Sequence, residues 1–108
     1  MDDSLDQSFA ALADPTRRAI LARLAEGEAT VAELAEPFAL SQPAISKHLK
    51  VLEQAGLVET GIAGKTRPRR LKPQGLEQAR GFIEHMASFW PDRFDRLDAF
   101  LKAADKGE

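Results

Sequence analysis

At 108 residues with a formal net charge of −2, the chain has the length of one domain and enough apolar residues for a modest core. It contains no cysteine, which excludes disulfides, thiolate metal sites and thiol nucleophiles. No apolar run approaches the roughly 20 residues that a bilayer span requires, and the acidic start Met-Asp-Asp-Ser-Leu-Asp is unlike a signal peptide, so a soluble cytoplasmic protein with no membrane partner is expected.

The distribution of charge says more than its total. Residues 1–40 carry 3 basic and 8 acidic side chains, residues 41–72 carry 7 and 2, and residues 73–108 carry 5 and 7, so a segment of +5 lies between segments of −5 and −2. Such asymmetry predicts one anion-facing surface, and nucleic acid is the commonest partner of that kind. A solvated charged face is the plainer alternative.

Ser4 to Ala13 reads as a short amphipathic helix with Leu5, Phe9 and Leu12 on one side. Asp14-Pro15-Thr16 then restarts the chain, with Asp14 as cap, Pro15 in the first turn, and Ile20, Leu21 and Leu24 forming an apolar stripe up to Gly27. Arg17 and Arg18 open this second helix, where the macrodipole does not favour cations. Solvent exposure, a carboxylate partner or a phosphate contact would each account for them.

Thr30 and Glu33 fit the capping-box spacing and begin a third helix, in which Val31, Leu34 and Phe38 face inward and Pro37 limits the length to about two turns. The next helix, Ser41 to Gly56, has Ile45, Leu49 and Leu52 on one narrow stripe and Pro43, Ser46, Lys47, Lys50 and Gln54 opposite. Ser41 is a good N-cap, and Gly56 can take the left-handed conformation that closes a helix. A short helix, a tight connection and a longer helix with a polar outer face form a helix-turn-helix pattern.

After Gly56, Leu57 to Thr60 has strand character, Gly61 to Gly64 supplies turn residues, and Lys65 to Lys72 returns. This predicts a hairpin wing with Lys65, Arg67, Arg69 and Arg70 at or beside its tip, placed to lie along a phosphate backbone. The same charges on an exposed edge strand would instead discourage aggregation.

From Gly75 to Ala87, the residues Leu76, Ala79, Phe82, Ile83 and Met86 recur at helical spacing. Ser88 is expected to cap a fresh helix carrying Phe89, Trp90, Phe94, Leu97 and Leu101, unless the segment is one long helix kinked there. Four of the six phenylalanines and the only tryptophan fall between Phe82 and Phe100, more apolar surface than one small domain needs to cover itself. A two-fold dimer interface of Leu5, Phe9, Phe82, Met86, Phe89, Trp90, Phe94, Leu97 and Leu101 accounts for it; closure of an internal core is the alternative.

Four stretches in this order carry a family resemblance: Leu-Ala-Asp-Pro-Thr-Arg-Arg-Ala-Ile-Leu from Leu12, Glu-Leu-Ala-Glu-Pro-Phe from Glu33, Ser-Gln-Pro-Ala-Ile-Ser-Lys-His-Leu-Lys-Val-Leu-Glu-Gln-Ala-Gly-Leu-Val from Ser41, and Phe-Trp-x-x-Arg-x-Asp-Arg-Leu from Phe89. Together they resemble the ArsR-type winged helix-turn-helix repressors. The resemblance implies a mainly α fold with a small β-hairpin wing, dimerising through N- and C-terminal helices. It also implies a homodimeric transcription factor that binds double-stranded DNA at a palindromic operator, represses its own or a neighbouring promoter, and releases it when an effector binds. The effector, small molecule or protein, is left undefined. On this reading residues 1–108 form a single domain, with the N-terminal helix at 4–13, the helix-turn-helix at about 30–56, the wing at about 57–72 and the dimerisation helices at about 74–104.

Metal-sensing relatives carry a Cys-x-Cys pair ahead of the recognition helix, whereas this chain has Glu33-Leu34-Ala35-Glu36-Pro37 there. A second family site uses His and carboxylates, for which only His85 with Glu84, Asp92 and Asp95 is on offer. One imidazole makes a poor transition-metal site, so neither metal nor cofactor is expected. For DNA contact, Lys47, Lys50, Lys65, Arg67, Arg69 and Arg70 would neutralise phosphates. Gln42, Ser46 and Lys47 would read bases, with Pro43 and Ala44 against thymine methyls. His48 flanks the core and reads equally as a buried hydrogen-bonding residue or a phosphate contact. No catalytic constellation or phosphate loop is present, so an enzyme is not expected. A winged-helix module binding an acidic protein partner is the remaining alternative.

Overall fold

The computed structural model describes residues 3–89 and 101–102. Within residues 3–89, five helices and one hairpin follow in the order α1 (Asp3–Leu12), α2 (Pro15–Leu24), α3 (Val31–Phe38), α4 (Gln42–Gln54), β1 (Val58–Thr60), β2 (Arg69–Leu71) and α5 (Pro73–Ala87). The mainly helical winged architecture expected from the sequence is what is found. No helix among these residues is long and apolar enough to cross a membrane.

Local chemistry explains where the helices begin and end. Asp14 is the N-cap of α2, and its carboxylate accepts the Arg17 N–H at 3.0 Å, with Pro15 at the first helical position, where its missing donor costs nothing. At the start of α3, Glu33 N–H donates to Thr30 Oγ1 and Thr30 N–H to Glu33 Oε1, at 3.3 and 2.9 Å, completing the capping box. Pro37 lies one residue before the end of α3, and Ala39 then turns left-handed at φ 54°. Ser41 Oγ accepts from Ala44 N–H and opens α4. Gly56, at φ 76°, closes that helix: its N–H reaches Glu53 O, and Leu57 N–H reaches Leu52 O, both at 3.0 Å. That pair of bonds is a Schellman motif, which glycine alone adopts without strain.

The core is built by one face of each element. Ile20, Leu34, Ile45, Leu49, Leu52, Leu57 and Val58 are fully buried, joined by Ala11, Leu21 and Leu24. Helix α1 lies across this core, with the buried Ser8 hydroxyl 3.0 Å from Ser4 O and 3.3 Å from Ala55 O. Its Phe9 meets Phe82 of α5 edge to face, ring centroids 5.7 Å apart. α5 in turn approaches the end of α4 so closely that a Cβ on Gly75 would lie 2.2 Å from Gly56 O.

β1 and β2 are antiparallel, pairing Val58 with Leu71, Glu59 with Arg70 and Thr60 with Arg69. Ala29, in the loop ahead of α3, adds a one-residue bridge: Ala29 N–H donates to Arg69 O at 3.0 Å and Arg69 N–H to Ala29 O at 2.7 Å. Beyond the strands, Gly61 N–H donates to Pro68 O, and Ala63 and Thr66 exchange bonds around Gly64.

One expectation about the C-terminal segment changes. Ser88 is the C-cap of α5, in right-handed helical conformation, with its hydroxyl donating to His85 O at 2.6 Å. An N-cap would be extended, so Ser88 closes α5, and the further helix or kinked continuation expected beyond it lies largely outside the described residues. Trp90, Phe94 and Leu97 lie outside the described residues.

Candidate nucleic-acid interface

The start of α4 projects from the domain. Gln42, Pro43, Ser46, Lys47 and Lys50 are exposed, and Ala44 is half-buried behind them. This follows from the helix itself, because its Ile45, Leu49 and Leu52 stripe is gripped by the core and the opposite face must point outward.

His48, expected to serve either as a hydrogen-bonding residue or as a phosphate contact, has polar neighbours within the protein. Its Nδ1 lies 3.4 Å from Arg17 Nη1 and 3.9 Å from Asp14 Oδ2, half-buried against the start of α2. Arg17 itself donates through Nε to Ala11 O at 2.8 Å and through Nη2 to Ala10 O at 3.2 Å, while Arg18 Nη1 donates to Leu12 O at 2.9 Å. The two arginines cap the C-terminus of α1, where the last carbonyls lack partners and the dipole favours cations. That role was absent from the three sequence-based readings. It arises because the tight break at Asp14 folds α2 back beneath the end of α1.

The wing forms the expected antiparallel hairpin, its return strand beginning at Arg69. Only Lys65 and Arg67 of the four cations lie in the loop 61–68; Arg69 and Arg70 belong to β2. Arg69 Nε donates to Glu53 Oε1 at 2.9 Å, its side chain only 19% exposed, and its Nη1 donates to Arg67 O. Arg70 Nε donates to Glu59 Oε1 at 2.8 Å. The Glu59 hydrogen bond and charge push Arg70 further toward its ionised form.

Glu53 and Glu59 are the two acidic residues of the basic segment 41–72, so both of its carboxylates are consumed by these two arginines. Among the described residues, Lys47, Lys50, Lys65, Arg67 and Lys72 have no carboxylate partner. Arg67 curls over the wing turn, donating to Gly64 O at 3.2 Å and Thr66 O at 3.0 Å. The segment's surplus of +5 thus stands on the helix face and the wing and its base, while its paired charges hold the wing together.

Some exposed apolar residues were not assigned to a contact surface, Ile62 and Ile83 the most exposed of them. Ile62, 78% exposed, rides on the wing loop, and its position in a turn segment between Gly61 and Gly64 was a visible signal. Ile83, 55% exposed, joins Phe82 of the same helix at 42% and Phe89 just past its end at 62% as exposed apolar surface. Of the other residues assigned to a dimer interface, Leu5, Phe9 and Met86 are half-buried and Leu101 is exposed. Phe9 and Phe82 spend part of their surface on each other. His85 packs edge to face on Phe89 at 5.1 Å. Among the described residues, no group of three or more His, Asp or Glu is placed to hold a metal ion.

Comparison with known proteins fits this geometry. A family model described as a helix-turn-helix domain matches residues 12–61. An HTH-type transcriptional regulator of Mycobacterium tuberculosis is 47% identical over 87 residues, spanning 81% of this chain and 78% of that protein. An ArsR-like transcriptional regulator from Rhodococcus sp. RHA1 superposes with a TM-score of 0.74 at 31% identity, covering 91% of this chain and 92% of its own. The homodimeric winged helix-turn-helix DNA-binding domain of a Mycobacterium bovis protein superposes with a TM-score of 0.66 at 27% identity, covering 80% of each chain.

Proposed function

The chain belongs to the ArsR-type family of winged helix-turn-helix repressors, DNA-binding regulators of transcription, and we propose that it works as a cytoplasmic homodimer on a palindromic operator at its own or a neighbouring promoter. The observation that carries this reading is the set of cations left without a carboxylate on two elements: Lys47 and Lys50 on α4, and Lys65 and Arg67 on the wing. In this reading Gln42, Ser46 and Lys47 read base edges, Pro43 and Ala44 offer apolar contact, and the four cations neutralise phosphates. Arg69 and Arg70 drop out of the phosphate set, because each already satisfies a carboxylate.

Homodimerisation is supported by the exposed apolar residues Phe82 and Ile83 of α5 and Phe89 just beyond its end, which would otherwise face water, and by the homodimeric state of the Mycobacterium bovis relative. Two copies related by a two-fold axis would present their α4 helices about one DNA turn apart. A regulator that is not metal-responsive is favoured by the absence of every thiolate ligand from the sequence. Effector release, if it operates here, then uses a small molecule or a protein.

Gel-shift titration against the promoter beside its own coding region tests the reading. Four phosphate contacts per protomer predict that log K falls with log salt concentration with a slope of roughly 7 for the dimer. An affinity insensitive to salt would overturn the phosphate assignment.

A further inference from the structure

Glu53 sits in the last turn of α4, where the helix dipole disfavours an anion, on one of the elements read here as DNA-contacting. A carboxylate in that place needs an explanation, and its partners supply one. A single oxygen, Oε1, accepts from Thr60 Oγ1 at 2.6 Å and from Arg69 Nε at 2.9 Å. Thr60 and Arg69 are register partners, the last strand pair before the loop 61–68. The backbone of Arg69 is meanwhile held by Ala29 through two hydrogen bonds of 2.7 and 3.0 Å. The base of the wing is therefore clamped between the loop ahead of α3 and the end of α4.

Strands of three residues are too short to hold a direction by themselves. What orients the loop carrying Lys65 and Arg67 is the clamp at its base. The clamp is also electrically silent: the Glu53 carboxylate and the Arg69 guanidinium cancel, so it adds no net attraction for DNA and no net repulsion.

We infer that Glu53 is a positioning residue for DNA binding, which sets the angle between α4 and the wing so that Lys65 and Arg67 reach phosphate while Ser46 and Lys47 reach bases. The inference rests on the reading of α4 and the wing as the two DNA-contacting elements. A rigid join lets both elements engage with the ordering of the wing already met, whereas a swinging wing must be ordered at each encounter.

The test uses the full chain and a duplex that the wild-type protein selects from a random-sequence pool, with gel-shift titrations at several salt concentrations. Each wing cation contributes about 0.9 to the salt slope, so Lys65→Ala with Arg67→Ala should lower the slope of a dimer by roughly 3 to 4. Glu53→Ala should lower it as well, by less than the wing pair because it leaves Arg69 without its carboxylate, and should lower it no further when added to the wing double variant. Glu53→Gln, whose amide oxygen still accepts from Thr60 and Arg69, should recover most of the loss.

A rise in affinity with Glu53→Ala would mean that the carboxylate merely repels phosphate and would overturn the inference, as would an unchanged slope. If Glu53→Ala does not melt cooperatively, Thr60→Val serves in its place. It removes one donor and leaves the ion pair, and it should lower the slope in the same direction; no change there is equally fatal. Loss of slope in the wing double variant but not in the clamp variants sinks only the role of Glu53. An unchanged slope in the wing double variant sinks the wing reading and the inference together.

Discussion

Replacing Gly75 by alanine is the sharpest perturbation of the scaffold, because the same substitution six residues on should act in the opposite direction. Gly75 is the third residue of α5, and a Cβ built there falls 2.2 Å from Gly56 O, 2.7 Å from Gly56 C and 3.1 Å from Leu57 Cδ2. The first two are backbone atoms of the turn that closes α4, so no side-chain rotation relieves them. α5 would have to withdraw by about 1 Å, loosening its seat on α4; overpacking of this kind costs on the order of 1–3 kcal/mol and more when backbone must move. The gain in helix propensity from Gly to Ala is about 1 kcal/mol at most.

A net loss of about 2 kcal/mol is expected for Gly75→Ala, a fall of roughly 10 °C in Tm for a chain of this size. Gly81, also in α5, is exposed and has nothing within 4 Å of its would-be Cβ. Gly81→Ala should therefore raise stability by about 1 kcal/mol. Thermal melts of both variants at one fixed protein concentration make the comparison, the concentration being held because dimerisation would itself shift Tm. If Gly75→Ala melts at or above the wild type, the close seating of α5 on α4 is wrong.

Lys47→Ala should cost about 1 to 3 kcal/mol of discrimination between the preferred duplex and one with a mismatched half-site; affinity falling equally for both would reassign Lys47 to phosphate. Ile83→Glu places a charge where the single protomer is already open to water, so folding should survive while sedimentation shows monomers; an intact dimer would locate the interface elsewhere. For acid stability, the Asp14 carboxyl is held below its ordinary value of 3.8, first by the Arg17 N–H; desolvation opposes this next, and the charges of Arg17 and His48 and the Thr16 N–H add smaller lowering effects. Its depressed pKa in the fold means the contribution is present above that ordinary value and is lost as pH falls through the folded one. The Tm gap between wild type and Asp14→Ala should accordingly be constant near neutrality and narrow below about pH 4; a gap that persists unchanged in strong acid would refute the carboxylate's role.

Much of this protein was legible in one dimension because its signals are local. The α2 cap at Asp14, the Thr30–Glu33 box, the Ser41 cap and the left-handed Gly56 each act within a few residues of themselves. Helical periodicity likewise assigned Ile45, Leu49 and Leu52 to the core and left Ser46, Lys47 and Lys50 outside. The misreadings involve partners far apart in the chain. Arg17 and Arg18 cap α1 because a tight break folds α2 under it, a geometry that composition does not carry.

The same holds for the wing. Lys65, Arg67, Arg69 and Arg70 look alike as a run of cations, yet strand register puts Arg70 opposite Glu59 and brings Arg69 against Glu53, 16 positions away. Charge along the chain therefore identified the basic segment and its surplus of +5. Which cations remain available to DNA depended on pairing across the hairpin and onto α4, because a guanidinium that has met a carboxylate no longer counts toward the field outside.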